Sequence, residues 1–136
     1  MIKKKKIEFN HIKHYHFPYT IDVKKRVEIY NLADIFVSTS IEDSGPTTIT
    51  EAMLCGKPVV AFDTGDATEY VINCYNGYKV KLKDINDLKN KIIKIFSLDF
   101  SELQVLSNNA RIYALNNLNK KKQLEIINEI IFNKNL

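Results

Sequence analysis

The chain has 136 residues, 45% of them apolar and 26% charged, a balance that fits one globular domain with its own core and excludes a disordered tail or a membrane-embedded protein. Its net charge is +4, but the lysines gather at residues 3–6 and 120–122 without interleaved aromatics, which argues against a nucleic-acid groove. Solvated terminal charge is the first reading of these lysines, and peripheral attraction to an anionic inner membrane face the second.

No apolar run approaches the roughly 20 residues that span a bilayer. The basic start lacks the apolar stretch of a signal peptide. Cys55 and Cys74 are the two cysteines, and they suit a reducing compartment more than a disulfide framework. A cytoplasmic protein is therefore expected.

In chain order, Ile7-Glu8-Phe9 reads as a short strand, followed by a loop carrying His11, His14 and His16. Their spacing fits no standard zinc pattern, so no metal is expected there. Phe17-Pro18-Tyr19-Thr20 lengthens this loop. Asp22 or Thr20 then caps a helix whose inner face carries Val23, Val27 and Tyr30. Residues 34–38, Asp-Ile-Phe-Val-Ser, are apolar on both faces, as a parallel strand between helix layers would be. Residues 57–62 read as a second such strand. Between the two lies a loop and one helix, a β-loop-α-β unit with a right-handed crossover expected.

That helix is bounded by its own chemistry. Pro46 suits the first helical position, where its missing N–H would have had no partner. Gly56 suits the position past the end, where a left-handed backbone costs glycine nothing. Ile49, Ala52 and Met53 fall on one side and should face the sheet, while Glu51 projects from the other. A helix entered through Ser44-Gly45-Pro46 leaves the N–H groups of Thr47, Thr48 and Ile49 free, and with the helix dipole they form a natural anion site. One loop thus offers an acid, Asp43, then small flexible residues, a phosphate cradle and a second acid, Glu51. The simpler alternative for both acids is a capping or solvated role.

Several stretches together resemble a known family. Tyr30-x-x-Ala33-Asp34, then residues 40–46 (Ser-Ile-Glu-Asp-Ser-Gly-Pro), then Glu51-Ala52-Met53-x-Cys55-Gly56-Lys57-Pro58-Val59-Val60-Ala61 resemble the donor half of family 4 retaining glycosyltransferases (glycosyl transferases group 1). The likeness continues through Asp63-Thr64-Gly65, Glu69 and Asn76-Gly77, in order and with matching gaps. It implies an α/β fold: a Rossmann-like, three-layer parallel sheet forming a partial C-terminal domain of a GT-B-type enzyme, one unit over residues 1–136.

The resemblance also implies a chemistry. The donor is a nucleotide-diphosphate sugar, with no metal. Asp43 contacts the donor sugar and stabilises charge at the anomeric carbon, with Glu42 as its neighbouring competitor. Ser44, Gly45 and Pro46 shape the loop, the amides of Thr47 and Thr48 hold the diphosphate, and Glu51 accepts from the ribose hydroxyls. Capsule, exopolysaccharide or lipopolysaccharide-type synthesis is the setting this loop variant suggests. The family's upstream basic pair and its acceptor domain have no counterpart in this chain. A fragment, a split subunit or a decayed copy is therefore expected, completed by a complementary N-terminal chain or by self-association. A non-catalytic remnant that at most binds nucleotide-sugar is the alternative.

Downstream, residues 63–69 read as a loop at the strand's C-terminal end, where open α/β sheets bind ligands. Gly65-Asp66 stands where the family often has two glycines. Glu69 is either a ligand residue or simply an acid favoured in a helix's first turn. Asn76-Gly77 signals a turn before a strand over residues 78–82. Asp84 caps a helix with Ile85, Leu88, Ile92 and Phe96 on its stripe. Ser101 caps another with Leu103, Leu106, Ala110 and Tyr113. A last amphipathic helix is expected over residues 123–132.

Overall fold

The computed structural model describes residues 5–9, 12–42 and 47–118. The expected helix over residues 123–132 and the loop residues Asp43, Ser44, Gly45 and Pro46 lie outside that range.

Three parallel strands form the central sheet: β3 (Phe36–Ser38), β4 (Val59–Phe62) and β5 (Gly77–Val80), in the order β3-β4-β5. Phe36 pairs with Val59, and Val59 in turn pairs with Gly77. The middle strand is buried at all four positions, as its unbroken apolar run anticipated. Its side chains alternate between two cores, as strand geometry requires. Val59 and Ala61 join Ile49 and Met53 of α2 (Thr47–Leu54) and Ala110 and Ala114 of α5 (Phe100–Asn117). Val60 and Phe62 join Leu88 and Ile95 of α4 (Ile85–Phe96) on the other face. The expected three layers are present: helix, sheet, helix.

β3 departs from its expectation. All three of its residues are only half-buried, because β3 is an edge strand among the described residues. A second departure precedes it. β1 (Lys5–Phe9) pairs antiparallel with β2 (Ile12–His16), Lys5 opposite His16 and Phe9 opposite Ile12, as a separate two-stranded sheet. His14 and His16 therefore stand on a strand and not in a loop; His11 lies outside the described residues. The pattern Ile12, His14, His16 has the period of a strand, but histidine is too weakly apolar to announce it.

The helix ends follow local chemistry. Asp22 caps α1 (Val23–Asn31) by accepting from the amides of Lys24 and Lys25. Thr20 supports that cap by accepting from the Asp22 amide at 3.2 Å. Asp84 caps α4 as expected. In α5 the cap is Asp99, not Ser101. Asp99 and Glu102 form a reciprocal capping box, and the Ser101 hydroxyl donates to Asp99. Hydrogen bonds from the Glu102 amide and Ser101 hold the Asp99 carboxyl below its ordinary range.

The buried stripe of α4 is centred on Leu88 and Ile95, while Ile85 and Phe96 are exposed. Leu88 and Ile95 are seven residues apart and stack two turns along one side, so they reach the sheet first. The loop after β4 is shorter than expected, because a short helix, α3 (Asp66–Tyr70), begins directly after Gly65. Among the described residues no helix is long and apolar enough to cross a membrane.

Candidate functional site

The C-terminal ends of parallel strands, and the helix N-termini that follow them, collect on one side of such a sheet. Here α2 begins on that side. Its sheet-facing residues Ile49, Ala52 and Met53 are 0–1% exposed, as the spacing anticipated. Burial of that face orients the rest of the helix and leaves Thr47 and Thr48 exposed at the entrance. Gly56 closes the helix with φ +69°, the left-handed conformation assigned to it from sequence.

Thr47, Thr48 and Glu51 line one side of a cleft of about 400 Å³. The opposite side comes from α1, through Arg26 and Tyr30, and the segment Phe17–Thr20 covers one end. The lengthened loop that had no role in the sequence is thus a wall of the cleft. Tyr19 is 88% exposed there. Glu42 is exposed in the bend after β3 and does not line this cleft, and Asp43 lies outside the described residues.

Glu51 does not stand free as expected. Arg26 Nη1 lies 3.2 Å from its Oε1, the Tyr30 hydroxyl donates to Oε2 at 3.2 Å, and the Thr47 hydroxyl reaches Oε1 at 3.5 Å. The Glu51 side chain is 24% exposed and that of Arg26 32%. Tyr30 is held by its ring, which meets Phe36 edge to face with centroids 5.9 Å apart. Burial first, and then the Glu51 carboxylate, raises the Tyr30 phenol far above its ordinary value, so it remains a donor.

Arg26 is the site residue that sequence reasoning missed. A signal was available: Arg26 precedes Tyr30 by one helical turn, which places both on one face of α1. The inner face of α1 is also looser than expected. Val23 and Val27 are 61% and 40% exposed, and no residue of the helix is fully buried. They flank a small apolar hollow against Leu54 and Cys55. Burial pushes the Cys55 thiol up, with Lys57 and Arg111 partly opposing, as suits a packing residue.

The neighbouring loops are fastened to this side. The Thr64 hydroxyl donates to the Ile41 carbonyl at 3.3 Å, joining the loop after β4 to the loop after β3. Lys79 donates to the Thr68 carbonyl at 2.8 Å and lies 3.9 Å from Asp63. Glu69 is exposed on α3, and its carbonyl accepts from Tyr113.

Comparison with known proteins identifies the family. The sequence profile of glycosyl transferases group 1 matches residues 1–113. An uncharacterized glycosyltransferase of Methanocaldococcus jannaschii is 30% identical over 111 residues, covering 81% of this chain and 28% of that protein. The N,N'-diacetylbacillosaminyl-diphospho-undecaprenol alpha-1,3-N-acetylgalactosaminyltransferase of Campylobacter jejuni is 33% identical over 85 residues, covering 62% of this chain and 23% of that protein. Among solved structures, Anabaena HepE in complex with UDP-glucose superimposes with a TM-score of 0.67 at 28% identity, over 76% of this chain and 29% of that one. A glycosyltransferase from Rickettsia africae gives 0.66 at 32% identity, over 78% and 30%. The chain therefore spans less than a third of the length of each of these relatives.

Proposed function

The chain belongs to the glycosyl transferases group 1 family, and we propose that it is the donor-binding part of a retaining glycosyltransferase that uses a nucleotide-diphosphate sugar. Its fold is a partial Rossmann-like domain of the GT-B type. The observation that carries the donor-binding role is the cleft in which the first turn of α2 and the Glu51 carboxylate share one wall, with α1 opposite. The UDP-glucose held by HepE supports a nucleotide-sugar as the ligand class.

In this reading the Thr47 and Thr48 amides and the α2 dipole meet the diphosphate and stabilise it as it leaves. Glu51 takes the ribose hydroxyls, and Asp43, with Glu42 beside it, faces the sugar. No metal is required where amides and basic side chains neutralise the phosphates. The acceptor side comes from a complementary chain or segment, at the cytoplasmic membrane face. A lipid-linked glycan acceptor, of the kind named for the Campylobacter relative, is proposed here too.

The test is a titration of the chain with UDP-, GDP- and ADP-sugars, followed by amide NMR shifts. One of the three should move Thr47, Thr48 and Glu51 together, and Glu51→Ala should abolish the response. Shifts scattered over α4 and α5 with none on α2 would overturn the reading. Transfer should appear only when a complementary N-terminal chain is added, and Asp43→Asn should remove it while leaving donor binding in place.

A further inference from the structure

The Glu51 carboxylate is already engaged, and the pattern of engagement is uneven. A carboxylate offers about four lone-pair directions, two on each oxygen. Among the described residues Oε1 meets two donors, Arg26 Nη1 and the Thr47 hydroxyl, whereas Oε2 meets only Tyr30. A vicinal diol bridging both oxygens would find room on Oε2 and none on Oε1. One of the two Oε1 partners must leave.

Their exchangeability differs. The Thr47 hydroxyl moves by a single rotation, but its 3.5 Å contact is too long to hold much. Turning Thr47 aside frees one direction but leaves the cation on Oε1, so Arg26 is the occupant that decides how strongly Oε1 can accept a further donor. Its 3.2 Å ion pair is longer than the roughly 2.7–2.9 Å of a tight charge-assisted bond. Both partners are partly solvated, which weakens the pair further. The Nε of the same guanidinium is buried and has no hydrogen-bond partner among the described residues. Arg26 thus has a loose ion pair and an unused donor.

Arg26 is also the one cation among the described residues that line the cleft. It shares the Oε1 acceptor with Thr47, so its guanidinium already lies beside the first turn of α2. A planar guanidinium suits two phosphate oxygens as well as it suits a carboxylate.

We propose that Arg26 is an exchangeable binding residue: it holds Glu51 while the cleft is empty, then turns its guanidinium to the diphosphate when a nucleoside diphosphate enters, freeing Oε1 for a ribose hydroxyl. This rests on the reading of the cleft as a nucleotide-sugar site and assigns the phosphate-neutralising charge within it. Tyr30, fixed by Phe36, keeps Oε2 in place while Oε1 changes partner.

The exchange predicts effects of opposite sign on two ligands. Calorimetry on the full chain would compare the nucleoside diphosphate that binds best among UDP, GDP and ADP with its parent nucleoside. Arg26→Ala should weaken the diphosphate about tenfold or more, the scale of a lost hydrogen bond to a charged group. The same change should tighten the nucleoside by about twofold or more, because Glu51 no longer has to shed an ion pair. Arg26→Gln, which keeps the packing of the stem, should give the same two signs and guards against loss of fold in the alanine variant. Weakening of both ligands alike by either variant would overturn the proposal in favour of a purely structural Arg26, as would no effect on either ligand. If the unaltered chain binds none of the three diphosphates, the cleft reading and this proposal fall together. If it binds one with Arg26→Ala making no distinction, this proposal alone is lost.

Discussion

Two glycines separate the demands of backbone conformation from those of close approach. Gly77 opens β5 and pairs with Val59 of β4. Its φ is not left-handed, so conformation alone would admit alanine. Space does not. A Cβ on Gly77 would lie 1.9 Å from the Val59 carbonyl oxygen and 2.8 Å from both its carbonyl carbon and its nitrogen. Ordinary contact begins at 3.4 Å, so the strands would have to part by about 1.5 Å there. The bond from the Val59 amide to the Asn76 carbonyl, now 3.2 Å, would open to about 4.7 Å and cease to exist.

Each backbone group left unpaired in that buried place costs about 1–3 kcal/mol, and at least two are involved. Gly77→Ala should therefore destabilise the chain by about 3 kcal/mol or more, with a fall in Tm on the order of 10 °C. Gly56 is the control. A Cβ there would meet the Ser107 carbonyl oxygen at an ordinary 3.6 Å, so Gly56→Ala bears only the left-handed backbone penalty of about 1–2 kcal/mol. Urea unfolding of both variants, followed by far-UV circular dichroism, decides the matter. A cost for Gly77→Ala at or below that for Gly56→Ala would refute the close-approach argument.

Asn76 is fully buried, accepting from the Ile72 amide at 2.7 Å and donating to the Tyr70 carbonyl at 2.9 Å. Asn76→Ala strands both groups and should cost about 2–4 kcal/mol by urea unfolding; a loss under about 0.5 kcal/mol would mean those groups find other partners. Met53 is 0% exposed between α2 and the sheet, so Met53→Ala should cost about 2–5 kcal/mol in the same measurement. Stability should also fall as pH rises past about 10. There the unfolded chain's tyrosines begin to ionise while the folded Tyr30, its phenol raised by burial and by Glu51, keeps its proton. The folded state then holds more protons, so each step upward in pH favours unfolding. Tyr70 and Tyr113, raised mainly by burial, add to the slope. Tyr30→Phe should flatten the curve of urea midpoint against pH, and an unchanged slope would remove Tyr30 from the account.

Three residues named from the sequence, Thr47, Thr48 and Glu51, line the cleft, and their placement is local. Glu51 and the exposed pair Thr47 and Thr48 follow from one helix whose buried face, Ile49, Ala52 and Met53, is set by spacing alone. The partners of Glu51 were not legible. Arg26 lies 25 residues away on α1, and only the docking of α1 beside α2 brings its guanidinium to Oε1. The segment Phe17–Thr20 becomes a wall of the cleft for the same reason. The β1–β2 hairpin escaped notice because its second strand alternates histidine with lysine and tyrosine, and its pairing is made by backbone groups that every residue carries.

The residues by themselves determined the buried apolar run of β4, the face of α2, the left-handed Gly56 and the cap at Asp84, since each depends on neighbours within a turn or two of chain. Tertiary structure alone decided that Glu51 is an engaged carboxylate, that Gly77 lies against the Val59 carbonyl, and that Asn76 is a buried clamp. Those outcomes depend on contacts between segments distant in sequence, whose distances are set by how two faces pack and are written in neither segment separately.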